Sequence, residues 1–396
     1  MRIPPHAGRE RPGLGLRALA VCLFLIGPAN SGKALAQDFG APASALYGED
    51  AASLQPFVDR IVGEAVAREA IPGAIVGVSW RGRRAFFGYS GTGGAPYGPE
   101  TIVEIGSITK VFTTALFAEA VQEGAMQRDA SIQDYLPRLR LHACAAAVTP
   151  LQLADFTSGM PELPGDVPRR LAERGIDTYT SEDFLAWVGR WAPGDGGRCN
   201  LPAPYRYSNA SVGLLGYLVA ERLGARWEEL VRARITGPLR MSSTTVRVPP
   251  DQAGRIAQGF GPEGGQVIPW PVFAWYAAGA LRSTASDMLA FGEAALGHER
   301  VNGERVPPAL TTALATAMAP IYQPEGQPFV QGMAWIENPG DPEAGTHPVT
   351  LKIGGTDGFN SILVINPGKD LAVFIAGSRP KMQIERLGVS LSRQIR

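Results

Sequence analysis

The chain has 396 residues, and its 37 basic and 37 acidic side chains give a formal net charge of zero. Without a basic stripe or a charge run, it is not expected to bind nucleic acid. Three cysteines are present, and no C-x-x-C or H-x-x-x-H spacing accompanies them. The sequence therefore predicts neither a metal site nor another cofactor.

The first 36 residues are predicted to be a secretory signal peptide. Several arginines precede a short apolar core, Ala18 to Gly27, and the small-residue cleavage sequence Ala34-Leu35-Ala36 follows. This order is typical of exported proteins, and the apolar core is shorter than the roughly 20 residues of a membrane span. We expect a periplasmic or extracellular chain 37–396 in which Cys144 and Cys199 are either paired or both free.

Hydrophobic periodicity and turn residues predict the following elements. In chain order these are a helix 53–69, a hairpin 74–80 and 83–89, and a helix from Ser107 to about Gln122. Two helices, 181–190 and 212–222, follow in a Pro- and Gly-rich segment, and Thr284 and Asp287 have capping-box spacing at the start of another. The last third contains strands 331–337, 349–353, 360–365 and 371–376 and a closing helix 382–393.

Strands at both ends with helices between them predict an α+β fold, an α/β sandwich. Its antiparallel sheet is built from both chain ends and flanked by helices. A chain of this length exceeds what one hydrophobic core usually organises, so two lobes are expected. The predicted division is an α/β lobe at about 37–123 and 271–396 and an inserted, mostly helical lobe at about 124–270.

The first motif that indicates a catalytic function consists of Ser107 and Lys110, at the start of an Ala- and Phe-rich helix. Residues three apart share a helix face, so the hydroxyl and the amine are expected to lie side by side. A neutral lysine can accept the proton of the serine and make it a nucleophile, which arginine cannot do. A second S-x-x-K, Ser378 to Lys381, is discounted because Pro380 breaks the helical register.

Two further motifs follow in order, Tyr207-Ser208-Asn209 and Lys352-Ile353-Gly354-Gly355. S-x-x-K, then Y-x-N, then K-x-G resembles the serine β-lactamase and penicillin-binding protein superfamily. The flanking sequences Thr157-Ser158-Gly159, 191–194 and 331–335 resemble class C β-lactamases and their DD-peptidase-like relatives. The resemblance covers nearly all of chain 37–396.

The resemblance implies a role for each motif residue. Ser107 is the acylated nucleophile, and Lys110 is its proton-sharing partner, with a pKa lowered by burial and by a second cation, Lys352. Tyr207 exchanges a proton with the leaving nitrogen and later helps to activate water. Asn209 holds the amide side chain of the substrate. The backbone N–H groups of Ser107 and Gly355 form the oxyanion hole, at the positive end of a helix.

Two positions depart from the family pattern. Ile353 stands where the family usually has threonine, which removes a hydroxyl expected to bind a substrate carboxylate. One such hydrogen bond is worth about 1–3 kcal/mol, so specificity is weakened while the chemistry is retained. Leu163 lies near the position of a family glutamine.

Each residue also has a structural alternative. Ser208 or Asn209 can cap the following helix, Tyr207 can be a packing aromatic, and Lys352 can be a strand-edge charge. The order, spacing and flanks of the motifs together favour catalysis. The expected partner is a small-molecule substrate, a β-lactam, a cell-wall peptide or an ester, and the oligomeric state is not predicted.

Three other functions fit parts of the sequence less well. A carboxylesterase with the same Ser-Lys-Tyr site fits Ile353, although Lys352 argues against it. A non-catalytic binder of cell-wall fragments has no need of Ser107, Lys110 and Tyr207 together. A Ser-His-Asp hydrolase is disfavoured, because the chain has four histidines and no G-x-S-x-G elbow.

Overall fold

The computed structural model describes residues 43–48, 50–167, 179–192, 199–341, 343, 345–380 and 382–395. The predicted signal peptide 1–36 and residues 193–194 of one motif flank lie outside this part of the chain. The strands are β1 (Ala43–Tyr47), β2 (Ala74–Trp80), β3 (Arg83–Ser90), β4 (Val103–Glu104), β5 (Arg282–Ser283), β6 (Arg300–Val301), β7 (Glu304–Arg305), β8 (Val330–Gln331), β9 (Ile336–Asn338), β10 (Val349–Gly355), β11 (Asn360–Asn366) and β12 (Leu371–Gly377).

The helices are α1 (Ala51–Val58), α2 (Glu64–Arg68), α3 (Thr109–Gln122), α4 (Ala143–Ala146), α5 (Pro150–Ala154), α6 (Ser181–Arg190), α7 (Asn209–Leu223), α8 (Trp227–Val231), α9 (Ala285–Ala295), α10 (Pro308–Met318) and α11 (Ile384–Gln394). A π-helical segment, Asp59–Gly63, joins α1 to α2, so the predicted helix 53–69 is continuous but not α-helical throughout.

Strands from both chain ends form one sheet, as predicted. In the described residues its order is β1-β3-β2-β12-β11-β10-β9-β8, and every pairing is antiparallel. The two halves meet where β2 pairs with β12, with Val78 opposite Val373. The fold class is therefore the predicted mixed α/β architecture.

The sheet is covered on both faces, which explains why its central strands are apolar almost without interruption. Along β11, Ile362 and Val364 belong to the hydrophobic cluster shared with α1, α2 and α11. Leu363 and Ile365 belong to the cluster shared with α3, α7, α9 and α10. Side chains of a strand alternate between the faces, so a single strand supplies both cores.

Helix starts follow the capping chemistry of the sequence. Thr180 and Asp183 form a complete capping box at α6. Ser208 caps α7 by accepting a hydrogen bond from the Ser211 N–H. Thr284 caps α9 by accepting one from the Asp287 N–H at 3.1 Å. The Asp287 carboxylate instead accepts hydrogen bonds from residues 243 and 244, so only half of the predicted box exists there.

The prediction of one continuous strand at residues 331–337 is wrong, because the structure has two short strands there, β8 and β9. Residues 332–335 form a turn between β8 and β9, closed by the Gly332 N–H donating to the Trp335 carbonyl at 2.9 Å. Ala334 has a φ of +59°, a backbone conformation that a strand excludes. Strand β1 and helix α10 were not predicted at all.

Cys144 and Cys199 form a disulfide with a Cα–Cα distance of 5.0 Å, which decides between the two alternatives left open by the sequence. Among the described residues, no helix has both the length and the apolar character needed to cross a membrane. The division into lobes at residues 124 and 270 stays a prediction.

Candidate active site

The candidate nucleophile lies on a short turn between a strand and a buried helix. After β4, residues Gly106–Ile108 form a 3-10 turn that leads directly into α3. The sequence predicted that the helix begins at Ser107. In the structure Ser107 lies in the 3-10 turn just before the first residue of α3. Side chains three apart are eclipsed in 3-10 geometry, so Ser107 and Lys110 still face each other.

Lys110 is fully buried and has three polar neighbours. Its Nζ lies 3.0 Å from Ser107 Oγ, 2.6 Å from Asn209 Oδ1 and 2.6 Å from the Ala278 carbonyl oxygen. The last two atoms can only accept hydrogen bonds. A neutral amine has two hydrogens for these acceptors, and its lone pair is then directed at the serine hydroxyl.

Tyr207 completes the surroundings of the serine. Its hydroxyl donates to Ser107 Oγ at 2.6 Å. Its ring packs against Phe156, with 4.9 Å between the ring centroids. The Nζ atoms of Lys110 and Lys352 lie 4.9 Å and 5.0 Å from the centroid of the tyrosine ring. The phenol is thus flanked by two amines and fixed by an aromatic neighbour.

Burial dominates the electrostatics of the two lysines. It lowers the pKa of Lys110 well below its ordinary value, and the charge of Lys352 lowers that pKa further. Burial also lowers the pKa of Lys352 to about 7. Glu162 opposes the shift at Lys110, while burial raises the pKa of the Glu162 carboxyl itself. These surroundings favour an uncharged amine at position 110.

Two backbone segments meet beside the serine. Gly106 has a φ of +48°, and a Cβ there would lie 2.5 Å from the Gly355 carbonyl oxygen and 2.6 Å from its nitrogen. A Cβ on Gly354 would lie 2.0 Å from the Ile105 carbonyl oxygen. Only glycine fits at these positions. The backbone just before Ser107 is therefore in close contact with the backbone of Gly355.

The edge of β10 next to the serine is not covered by a strand in the described part of the chain. β9 pairs with β10 only as far as Leu351, so residues 352–355 lie beyond the last pair on that side. An extended segment of a ligand can add to such an edge by main-chain hydrogen bonds.

All six predicted site residues, Ser107, Lys110, Tyr207, Asn209, Lys352 and Gly355, are therefore brought together around one serine hydroxyl. Of the structural alternatives, the capping role belongs to Ser208 alone, because the Asn209 side chain accepts from Lys110. Lys352 is buried and is not an exposed edge charge.

Ile353 lies on the opposite face of β10 from Lys352 and packs against the cluster beneath α1 and α11. Sequence inspection missed two carboxylates near the site. Glu162 accepts backbone hydrogen bonds from Asn209 and Ala210 through its carbonyl oxygen, and Glu104 is buried just before the nucleophile. Glu104 could have been noticed in the sequence, because it is the one charged residue in the apolar run Val103-Glu104-Ile105.

A mixed α/β sandwich with this serine, two buried lysines and a tyrosine defines the class of serine hydrolases of the β-lactamase and DD-peptidase type. The family model described as Beta-lactamase matches residues 58–387. The chain therefore belongs to the β-lactamase family, within the serine β-lactamase and penicillin-binding protein superfamily.

Individual relatives agree with this assignment. The β-lactamase of Escherichia coli (strain K12) is 25% identical over 360 residues, covering 82% of this chain and 89% of the relative. The crystal structure of a class C β-lactamase from Rhodobacter sphaeroides is 27% identical, with a TM-score of 0.70, and covers 85% of this chain and 97% of its own. The fold is also that of a β-lactamase/D-alanine carboxypeptidase from Pseudomonas syringae, with a TM-score of 0.73 at 22% identity, covering 87% of this chain and 99% of that one.

Proposed function

We propose that the protein is an exported acyl-serine hydrolase of the class C type. In this proposal it hydrolyses β-lactams or D-amino-acid peptides through an acyl-enzyme on Ser107. The observation that carries the proposal is the contact of one serine oxygen with two proton-transferring groups. Lys110 Nζ lies 3.0 Å and the Tyr207 hydroxyl 2.6 Å from Ser107 Oγ.

Acylation begins with attack of Ser107 Oγ on the carbonyl carbon of the substrate. The serine proton passes to the neutral amine of Lys110, whose other hydrogens are held by Asn209 and Ala278. Negative charge develops on the carbonyl oxygen, and the N–H groups of Ser107 and Gly355 bind it. Donors fixed in advance stabilise that charge without reorganising during the reaction.

The tetrahedral intermediate collapses when the bond from carbon to the leaving nitrogen breaks. Tyr207 delivers its proton to this nitrogen and becomes a phenolate, while Lys110 keeps the proton taken from the serine. In deacylation a water molecule attacks the ester carbon, the Tyr207 phenolate accepts the proton of the water, and Lys110 returns its proton to Ser107 Oγ, which leaves as the free alcohol. The protonated amine of Lys110, whose Nζ lies 4.9 Å from the centroid of the tyrosine ring, stabilises the negative charge of this phenolate.

Substrate binding involves Asn209 and Lys352. The Asn209 oxygen is occupied by Lys110, which leaves its NH₂ group to donate to the amide carbonyl of a β-lactam or peptide. Lys352 supplies positive charge beside the tyrosine ring. The open edge of β10 offers main-chain groups to an extended acyl donor.

A carboxylesterase using the same residues is the second candidate. The observation that favours it is Ile353, whose side chain packs with the core beneath α1 and α11 and offers no hydroxyl to a substrate carboxylate. An ester substrate that has no carboxylate does not need this hydroxyl, so isoleucine at position 353 does not weaken its binding. The same acylation steps apply, with an alcohol as the leaving group.

The test is intact-protein mass spectrometry after a pulse of benzylpenicillin, together with turnover of nitrocefin and p-nitrophenyl acetate. We expect one penicilloyl adduct on the wild-type protein and none on Ser107→Ala. Ser378→Ala is the matched control, because Ser378 belongs to the discounted S-x-x-K and bonds to the backbone of Gly73. Rapid ester cleavage without an adduct selects the esterase, and no reaction with any substrate contradicts both candidates.

Export is part of the proposal and rests on the sequence of residues 1–36. N-terminal sequencing of the protein recovered from the periplasm or the medium is expected to begin at Gln37. A full-length protein retained in the cytoplasm contradicts this part of the proposal and leaves the chemistry untouched.

A further inference from the structure

Glu104 is a buried carboxylate three residues before the nucleophile, and the acyl-transfer steps do not use it. It is 8% exposed. Its Oε2 accepts a hydrogen bond from Thr356 Oγ1 at 2.7 Å, and its Oε1 accepts one from the Trp270 N–H at 2.6 Å. Both oxygens are thus occupied by groups far away in the sequence.

Thr356 directly follows Gly355, the second proposed donor of the oxyanion hole. Its hydroxyl donates to Glu104 and accepts hydrogen bonds from the Phe359 N–H at 3.1 Å and the Gly358 N–H at 3.4 Å. Its own N–H donates to the Phe359 carbonyl at 2.9 Å. The turn after β10 is therefore closed on itself and tied to β4 through one carboxylate.

The charge of Glu104 is compensated on its other side. Arg282 lies opposite Glu104 in the pairing of β4 and β5, and its guanidinium is 3.4 Å from Glu104 Oε1. The same guanidinium donates to the carbonyls of Trp270 and Val246. Since the carboxylate is held by Arg282 and by Trp270, it is a fixed point to which the Thr356 turn is attached.

We infer that Glu104 is a positioning residue, which sets the distance between the two N–H groups of the oxyanion hole by joining the strand before Ser107 to the turn after Gly355. This inference rests on the proposed function. Glycines allow the two backbones to approach but hold nothing in place. A hydrogen bond to an ionised acceptor supplies the direction and strength that the glycines lack.

The test compares four variants, and the central one is Thr356→Val, which keeps the shape of the side chain and removes the hydroxyl. We expect kcat for nitrocefin, or for p-nitrophenyl acetate if that is the substrate, to fall about 10- to 100-fold, the loss typical of a small misplacement. KM and the acid limb of the pH profile stay unchanged, because Lys110 and its neighbours are not altered. Glu104→Gln is expected to act in the same direction.

Two variants serve as controls. Thr356→Ser keeps the hydroxyl and is expected to retain wild-type kcat. Glu293→Gln alters a carboxylate that is equally buried and bonded, to Ser79 and Arg84, but lies outside the site. It is expected to lower thermal stability and leave kcat per folded molecule unchanged.

Phenylboronic acid supplies the readout specific to the oxyanion hole, because it forms a tetrahedral adduct on the serine. Its affinity should fall in parallel with kcat in Thr356→Val and Glu104→Gln. Wild-type kcat and boronate affinity in Thr356→Val overturn the inference, as does a loss confined to KM. If Glu104→Gln does not fold, the two Thr356 variants decide. A wild-type chain that reacts with no substrate and no boronate removes the proposed function itself.

Discussion

Two clusters of charged side chains differ in whether the basic group has a carboxylate partner. Beside the sheet, the guanidinium of Arg84 donates to Glu293, which also accepts from Ser79 at 2.7 Å. In the active site, Lys110 and Lys352 are more deeply buried, at 0% and 6% exposure, than the Arg84 side chain at 20%. Within the described residues, no carboxylate lies within 4 Å of either lysine.

This difference explains how the site obtains a base. A buried charge needs a partner of opposite sign, and without one it shifts its pKa and gives up the charge. Arg84 has such a partner, so its charge is compensated. Lys110 has hydrogen-bond acceptors, a cationic neighbour and only the more distant charge of Glu162. The unpaired amines of the active site therefore lower the stability of the fold and make Lys110 a base, whereas the pairing of Arg84 with Glu293 contributes to stability alone.

Replacing Lys110 by arginine is expected to have the largest effect on activity. Arginine keeps a positive charge and cannot lose its proton, so general-base catalysis is lost and the acylation rate falls by about 10²- to 10⁴-fold. Single-turnover acylation by nitrocefin measures this. Lys369→Arg is the matched control, because Lys369 donates to carbonyls at and just after the end of α11, away from Ser107. Acylation at the wild-type rate in Lys110→Arg would contradict the assignment of the base.

Replacing Arg84 by leucine tests the other cluster. Glu293 would be left buried without its ionic partner, and breaking such a pair costs about 3–5 kcal/mol. Urea unfolding should show this loss, with kcat per folded molecule unchanged. The neighbouring Arg83 pairs with Asp50 but is 63% exposed, so Arg83→Leu should cost less than about 1 kcal/mol. Equal losses in both variants would contradict the comparison.

Replacing Lys352 by methionine should move the acid limb of kcat/KM to higher pH. The charge of Lys352 lowers the pKa of Lys110, so removing it lets that pKa rise, and the neutral base is then populated only at higher pH. Stability should also rise at neutral pH. The reason is that the unfolded chain binds a proton at position 352 up to about pH 10, whereas the folded chain releases it near pH 7. An unshifted acid limb would show that the two amines do not interact.

Replacing Glu162 by glutamine should produce the smallest shift, and in the opposite direction. Its negative charge raises the pKa of Lys110, so its removal should move the acid limb to lower pH. The exposed Glu325 gives a control variant, Glu325→Gln, which should leave the profile in place. A shift to higher pH in Glu162→Gln would mean that the carboxylate does not stabilise the charged form of Lys110.

The sequence allowed prediction of the parts of the site that depend on local spacing. Ser107 and Lys110 are joined by one helical turn, and Tyr207 and Asn209 by the start of another. The sheet was predictable because its long strands are apolar runs bounded by turn residues. Helix α10 was missed although Leu310, Ala313, Leu314 and Ala317 recur at helical spacing.

What escaped prediction depends on contacts between distant segments. The bond between Glu104 and Thr356 joins two residues that are 252 positions apart. The turn at Ala334 depends on its N–H donating to the Ala154 carbonyl, and no local pattern reveals it. The pairing of Cys144 with Cys199 likewise requires the folded backbone to bring the two cysteines together.

The position of β12 between β2 and β11 has a consequence for biosynthesis. Strand β2 pairs with β3 and β12, and β12 is translated only after the many helices and strands that lie between it and β3 in the sequence. Until then the apolar edge of β2 is an unpaired template for aggregation, and pairing across so much of the chain makes folding slow. A transcript that ends before Leu371 would encode all six site residues and no stable sheet to carry them.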